Sequence, residues 1–167
     1  IYNARFKRTE RSETKINLIF HSSGYTNLNM NTILIIEDDK AIVDVLKMIL
    51  EHDGFRIEKA FNGPTGIEKF KEVEPDIVLL DIRMPKMDGI EVLQELRKID
   101  NKSIIVMISG HGNIETAVQT TKLGAYDFIA KPFDVERLKL TIQNGLNYKK
   151  LLAENESFAF ETTLATK

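Results

Sequence analysis

The chain has 167 residues, 43% of them apolar, which is enough for one domain with a real core, and 23 basic against 25 acidic residues leave a net charge of -2. No overall positive field exists to hold nucleic acid or an anionic membrane surface, and no apolar stretch approaches the roughly 20 residues that a membrane-spanning helix requires. Cysteine is absent, which excludes disulfides and thiolate metal sites, and the expected location is the cytoplasm.

In chain order, residues 1–29 come first and differ in character from the rest of the chain. "ARFKRTERSETK" is charged and basic, "HSSGYTNLNMN" is polar and turn-rich, and neither carries a helical or strand period. Residues 1–29 are therefore expected to be a disordered tail, a tag, or an upstream start called before Met30. From Thr32, strand-length apolar runs alternate with segments of helical period. "TILII" (32–36) is short and β-branched, and residues 40–51 put Ile42, Val43, Leu46, Ile49 and Leu50 on one helical face, with Asp39 as N-cap and Gly54 as the stop. "FRIEKA" (55–60) alternates like an edge strand. "NGPTGIEKFKEV" supplies a turn and a helix carrying Ile67, Phe70 and Val73 inward.

"DIVLL" (76–80) is apolar without interruption after its first residue, as a strand buried on both faces must be. A helix over about 89–98 keeps Ile90, Leu93, Leu96 and Arg97 in register, and "SIIVMI" (103–108) is another buried strand. A helix near 114–123, a short strand "YDFIA" and a helix from Asp134 toward Leu152 complete five βα units. Such alternation predicts a parallel sheet covered by helices on both faces, with the ligand site beyond the carboxyl ends of the strands.

Those ends are polar. The first of these strands ends in Glu37, Asp38 and Asp39, the third in Asp81, the fourth in Ser109 and Gly110, and the fifth in Lys131 and Pro132. Carboxylates brought together repel unless a cation neutralises them. With oxygen donors and neither His nor Cys among them, the expected ion is hard, Mg²⁺ by default, which keeps positions open for water or phosphate oxygens. Asp39 reads as a helix cap rather than a ligand, Met84 and Met87 as loop packing, and "MPKMDG" as mostly architecture.

Residues 31 to about 147, through "ILIIEDD", "LLDIRMPKMDG", "MISGHG" and "AKPF", resemble the receiver domain of two-component response regulators. "ISGHGNIETAV" and "GAYDFIAKPF" are most similar to the nitrogen-regulation branch (NtrC/NtrX type, sigma-54-dependent). The resemblance implies a flavodoxin-like (βα)5 fold: a doubly wound, five-stranded parallel sheet of order 2-1-3-4-5 in a three-layer α/β/α sandwich. It implies a receiver over 31–147, with 148–167 as the start of a helical linker and a loose C-terminal end.

For the site, the resemblance implies Asp81 as the phosphorylated residue. Mg²⁺ would be held by Asp38, Asp81 and the backbone carbonyl of Arg83, with Glu37 acting through water or at the edge. Lys131, Ser109 and Gly110 would hold the phosphoryl group, Ser109 and Phe128 would form the switch, and Arg83 and His111 would tune phosphoryl lifetime. A cis Lys131–Pro132 bond is expected. The implied partners are a sensor histidine kinase, a second copy in a phosphorylation-favoured homodimer, and downstream ATPase and DNA-binding domains not found in this chain, which itself contacts neither nucleic acid nor membrane. The implied activity is that of a switch catalysing only its own phosphorylation and dephosphorylation.

Glu37 stands where the family more often has Asp, and Ser109 where it more often has Thr. Phe128 lacks the hydroxyl of relatives with Tyr. Three other functions compete. A haloacid-dehalogenase phosphatase resembles D-x-D at its nucleophile, but Arg83 occupies the second position. A flavin module needs a Ser/Thr/Gly-rich first loop where this chain has "IEDDKA". A phosphorylation-independent pseudo-receiver stays open.

Overall fold

The computed structural model describes residues 17–21, 24–28, 30–110 and 114–165, with side chains described over 30–110 and 114–157. The chain divides into two units, Ile1–Met30 and Asn31–Lys167. In the first, β1 (Asn17–His21) and β2 (Gly24–Leu28) pair antiparallel, Asn17 opposite Leu28 and His21 opposite Gly24. This hairpin falls within residues 1–29, the rest of which lies outside the described residues. Leu18, Ile19, Phe20, Tyr25 and Thr26 are strand formers, and their short run hides among polar neighbours.

The second unit contains β3 (Thr32–Ile36), α1 (Lys40–His52), β4 (Arg56–Ala60), α2 (Gly63–Val73), β5 (Ile77–Asp81), α3 (Gly89–Ile99), β6 (Ile104–Ser109), α4 (Ile114–Lys122), β7 (Asp127–Ala130) and α5 (Val135–Ala165). Its five strands are all parallel in the order β4-β3-β5-β6-β7, which is 2-1-3-4-5 counted from β3. The flavodoxin-like expectation holds.

Every residue of β3, β5 and β6 is buried, and strand parity sorts them into two cores. Leu34, Ile36, Val78, Leu80, Ile105 and Met107 face Phe70 of α2 and Val92, Leu93 and Leu96 of α3. Their neighbours Ile33, Ile35, Ile77, Leu79, Val106 and Ile108 face Val43, Leu46 and Leu50 of α1 and Leu138 and Ile142 of α5. Each fully buried aliphatic side chain contributes roughly 1.5–3 kcal/mol. A one-residue slip of a strand would exchange the two cores, so the parity of the sequence fixes the register.

Helix ends are set by local chemistry. The Asp39 carboxylate accepts from the Ala41 and Ile42 amides at 2.8 and 3.5 Å, capping α1, and the Asn62 side chain accepts from the Thr65 amide at 3.0 Å, capping α2. Asp88 and Glu91 form a reciprocal capping box on α3. Arg97, a charged residue in the apolar register of α3, has its guanidinium spent on backbone: it donates to the carbonyls of Asp100, Ser103 and Gly124 and to Ser103 Oγ.

The last helix runs through Ala165, past the loose end expected after residue 157. "FAFETTLA" lacks an apolar stripe but also lacks any glycine or proline to stop a helix already running. Gly145 is buried because α5 lies close to the sheet: a Cβ there would sit 2.7 Å from Ile104 Cγ2. In an exposed helix Gly→Ala gains about 1 kcal/mol. Here Gly145→Ala is expected to destabilise by about 1–3 kcal/mol through overpacking, read as a lower urea midpoint; a raised midpoint would contradict the close approach.

Candidate functional site

Four strand ends converge on one rim. Glu37 comes directly after β3, Asp81 ends β5, Ser109 ends β6 and Lys131 comes directly after β7. Each position is fixed by backbone bonds that continue the sheet: the Glu37 amide donates to the Ala60 carbonyl at 3.1 Å, the Ile82 amide to Ile108 at 3.0 Å, and the Lys131 amide to Ser109 at 2.7 Å. The side chains they carry are largely withdrawn from water, with Glu37 2%, Asp81 4% and Ser109 2% exposed.

The carboxylates of Glu37, Asp38 and Asp81 offer oxygens that all lie within 4.8 Å of one another. Lys131 joins this group. Its Nζ donates to Glu37 Oε2 at 2.6 Å and to Asp81 Oδ1 at 2.7 Å. Among the described residues no buried side-chain nitrogen or oxygen lacks a hydrogen-bond partner, so the polar rim is internally satisfied.

One ammonium lies between two buried carboxylates, and Glu37 and Lys131 both hold their protons more tightly than they do in water. Burial, followed by the neighbouring charge of Asp81, raises Glu37 above its ordinary 4.5 against the pull of Lys131. Burial acts to lower Lys131, but its bonds with Asp81 and Glu37 outweigh it, so its value is raised.

The backbone beyond Asp81 is equally constrained. The Gly89 amide donates to the Ile82 carbonyl at 2.8 Å, and a Cβ on Gly89 would lie 2.1 Å from the Asp81 carbonyl oxygen. Only glycine allows α3 to start this close to the acidic strand end. Sequence spacing identifies a turn here but not this contact. Met84 is buried and Met87 packs against the same core, in keeping with their expected packing role.

The remaining candidates are less enclosed. Asp38, Arg83 and Gly110 are exposed, and a Cβ on Gly110 would meet nothing nearer than Lys131 Cδ at 4.0 Å. Phe128 is half-buried and packs against the core on the α2 and α3 side. Asp39 caps α1, as expected, and the Lys131–Pro132 bond is cis. His111 lies outside the described residues. Among the described residues the donor set is three carboxylates, which suits a hard divalent cation such as Mg²⁺.

The site is a strand-end acidic cluster joined by a half-buried lysine at the carboxyl edge of a doubly wound parallel sheet. Residues 33–143 match the response regulator receiver domain, and the chain belongs to that family. It is 40% identical over 116 residues to the chemotaxis protein CheY of Bacillus subtilis (strain 168), covering 69% of this chain and 97% of CheY. It is 36% identical over 125 residues to the regulatory protein AtoC of Escherichia coli (strain K12), covering 75% of this chain but only 27% of AtoC. The crystal structure of the receiver domain of NtrX from Brucella abortus superposes with a TM-score of 0.66 at 39% identity, covering 69% of this chain and 98% of that one. The likeness to AtoC and NtrX supports the NtrC/NtrX-type branch. Among the described residues no helix is long and apolar enough to cross a membrane.

The raised Glu37 value has a signed consequence. The folded chain binds more protons than the unfolded chain over the interval above 4.5, so this group's contribution is fully present below 4.5 and is lost as pH rises through the raised value. The stability of wild type relative to Glu37→Gln is therefore expected to be greater near pH 4.5 than at neutral pH, measured by urea unfolding of both proteins. The opposite slope would contradict it.

Proposed function

We propose that this chain is the phosphoacceptor receiver of a two-component response regulator and that Asp81 takes a phosphoryl group from a sensor histidine kinase. The observation that carries this is the placement of Asp81 at the end of a fully buried strand, 2.7 Å from the Lys131 ammonium and within 4.8 Å of two further carboxylates. An Asp81 carboxylate oxygen attacks phosphorus as the P–N bond to the kinase imidazole breaks, the electron pair returning to that nitrogen. The product is a mixed anhydride on Asp81. Asp81 attacks as the anion, so no general base is required.

Asp38, Asp81 and the Arg83 carbonyl would hold Mg²⁺, which when bound offsets charge on the oxygens around phosphorus. Lys131 pairs with a phosphoryl oxygen, and Ser109 and the neighbourhood of Gly110 cradle another. Arg83 and His111, each two residues beyond a site residue, control access of the hydrolytic water. The chain acts as a switch that catalyses only its own phosphorylation and dephosphorylation, not as a turnover enzyme.

The signal leaves through Ser109 and Phe128 to the face formed by α4, β7 and α5. Three successive residues of β7 and its entry are tied to α5: the Phe128 carbonyl accepts from Arg137 at 3.3 Å, Thr141 Oγ1 donates to Asp127 Oδ2 at 3.1 Å, and the Tyr126 and Tyr148 rings lie 5.8 Å apart. Beside them a groove of about 600 Å³ is lined by Ile114, Val118, Tyr126, Phe128 and Arg137, with Ile114 85% exposed. That apolar face supports homodimerisation favoured by phosphorylation. Attachment to ATPase and DNA-binding domains in a cytoplasmic transcriptional regulator is the extension suggested by the likeness to AtoC, of which this chain spans 27%.

Incubation with Mg²⁺ and acetyl phosphate, read by intact mass, is expected to give one phosphoryl adduct that disappears in Asp81→Asn and without the metal. No adduct on wild type would leave a phosphorylation-independent interaction module. For the dimer, sedimentation velocity is expected to show a larger species with beryllium fluoride; an unchanged monomer would remove that part of the proposal.

A further inference from the structure

We propose that Arg97 is a positioning residue for the output face: its guanidinium ties the turn after α4 and the entries of β6 and β7 to the end of α3, so that α4 is held at its Gly124 end and displaced at the other. Five hydrogen bonds occupy its five N–H donors. Nε and Nη2 both donate to the Gly124 carbonyl, at 3.0 and 2.7 Å. Nη1 donates to the Asp100 carbonyl at 3.1 Å and to Ser103 Oγ at 2.8 Å, and Nη2 donates to the Ser103 carbonyl at 2.8 Å. Three segments meet on one side chain, because Asp100 caps α3, Ser103 precedes β6 and Gly124 lies between α4 and β7.

The residue type follows from these acceptors. Asp100 and Gly124 present carbonyls at the carboxyl ends of α3 and α4, where aligned peptide dipoles leave partial negative charge, so carbonyls and one hydroxyl suffice to hold a half-buried cation. A lysine would supply the charge but not the planar fork that reaches three segments at once. Gly124 is fitted to the same contact. Its φ is +98°, and a Cβ there would lie 2.9 Å from Arg97 Nε.

The two ends of α4 are held very differently. Thr120, near the carboxyl end, is its buried residue, and the Thr120 carbonyl accepts from the Ala125 amide at 2.9 Å. Ile114, at the amino end, is 85% exposed. The entry of β7 is fixed as well, since the Tyr126 amide donates to the Ile105 carbonyl at 2.8 Å. Ser109 and Phe128 lie about 20 and 13 Å farther along the chain from Ser103 and Gly124, at roughly 3.3 Å per extended residue. Arg97 therefore joins the bases of the two strands whose far ends carry the switch residues. That consequence rests on the switch role proposed for Ser109 and Phe128, whereas the tie itself does not.

The test is ¹H–¹⁵N spectroscopy of wild type and Arg97→Lys, each with and without Mg²⁺ and beryllium fluoride. In wild type the ligand-induced shifts are expected to be large over 114–118 and small at Ala125 and Tyr126. In Arg97→Lys the shifts at Ala125 and Tyr126 are expected to grow by about threefold, the scale on which loosening a coupling element redistributes a response. A role in stability alone would lower the melting temperature of the variant and leave the wild-type pattern of shifts in place, which would overturn the proposal. Equal shifts at both ends of α4 in wild type would overturn it too.

The Arg97 Nε–H signal of wild type serves if the lysine variant fails to fold. It is expected to be protected from solvent exchange and unmoved by the ligand; a signal lost to exchange, or shifted as far as the Ile114 amide, would contradict the tie. A wild type that shows no ligand response anywhere would count against the phosphoacceptor reading instead, and the protection of Nε–H would then decide the tie by itself.

Discussion

Three carboxylates from two strand ends, drawn within 4.8 Å of one another in a largely dehydrated rim, repel unless positive charge is shared among them. Lys131 meets that condition by bonding Glu37 and Asp81 at once, 2.6 and 2.7 Å from their oxygens. The other features of the site serve the same requirement. Buried β3, β5 and β6 hold their terminal residues rigidly, and the amides of Glu37, Ile82 and Lys131 extend the hydrogen bonding beyond the strand ends. Gly89 lets the next helix start against the Asp81 carbonyl. The acidic cluster rests on a scaffold of fully buried strands, with Lys131 supplying the positive charge it needs.

That scaffold is also what makes the cluster useful. Asp81 at a buried strand end, a lysine shared between two carboxylates and an exposed Asp38 together make up the acidic rim of a chain that belongs to the receiver domain family. The parallel order β4-β3-β5-β6-β7 puts Lys131 on the strand that also carries Phe128, and that strand is tied to α5 through Arg137, Thr141 and Tyr148. Charge at the rim and packing against α5 are therefore linked by a single short strand.

Much of this is legible in the residues. Continuous apolar runs give the buried strands, their parity gives the two cores, and polar residues just past each run mark the rim. Other features depend on distances that spacing does not encode. Glu37 and Lys131 are 94 positions apart, and only the sheet order reveals that their side chains meet. Arg97 sits in the apolar register of α3 because its donors are consumed by carbonyls of Asp100, Ser103 and Gly124. Gly145 reads as a weak point in a helix and is a contact with Ile104. The hairpin of β1 and β2 and the end of α5 escaped because short strand runs among polar residues, and helices without an apolar stripe, leave little periodicity to find.

The most direct measurement is Mg²⁺ titration calorimetry on Lys131→Ala beside wild type. If Lys131 is the cation that lets these carboxylates coexist, its removal leaves them undercompensated, and Mg²⁺ is expected to bind tighter by about tenfold, the scale of one unit charge a few ångströms from a divalent ion. Equal or weaker binding would contradict the shared-cation origin of the site.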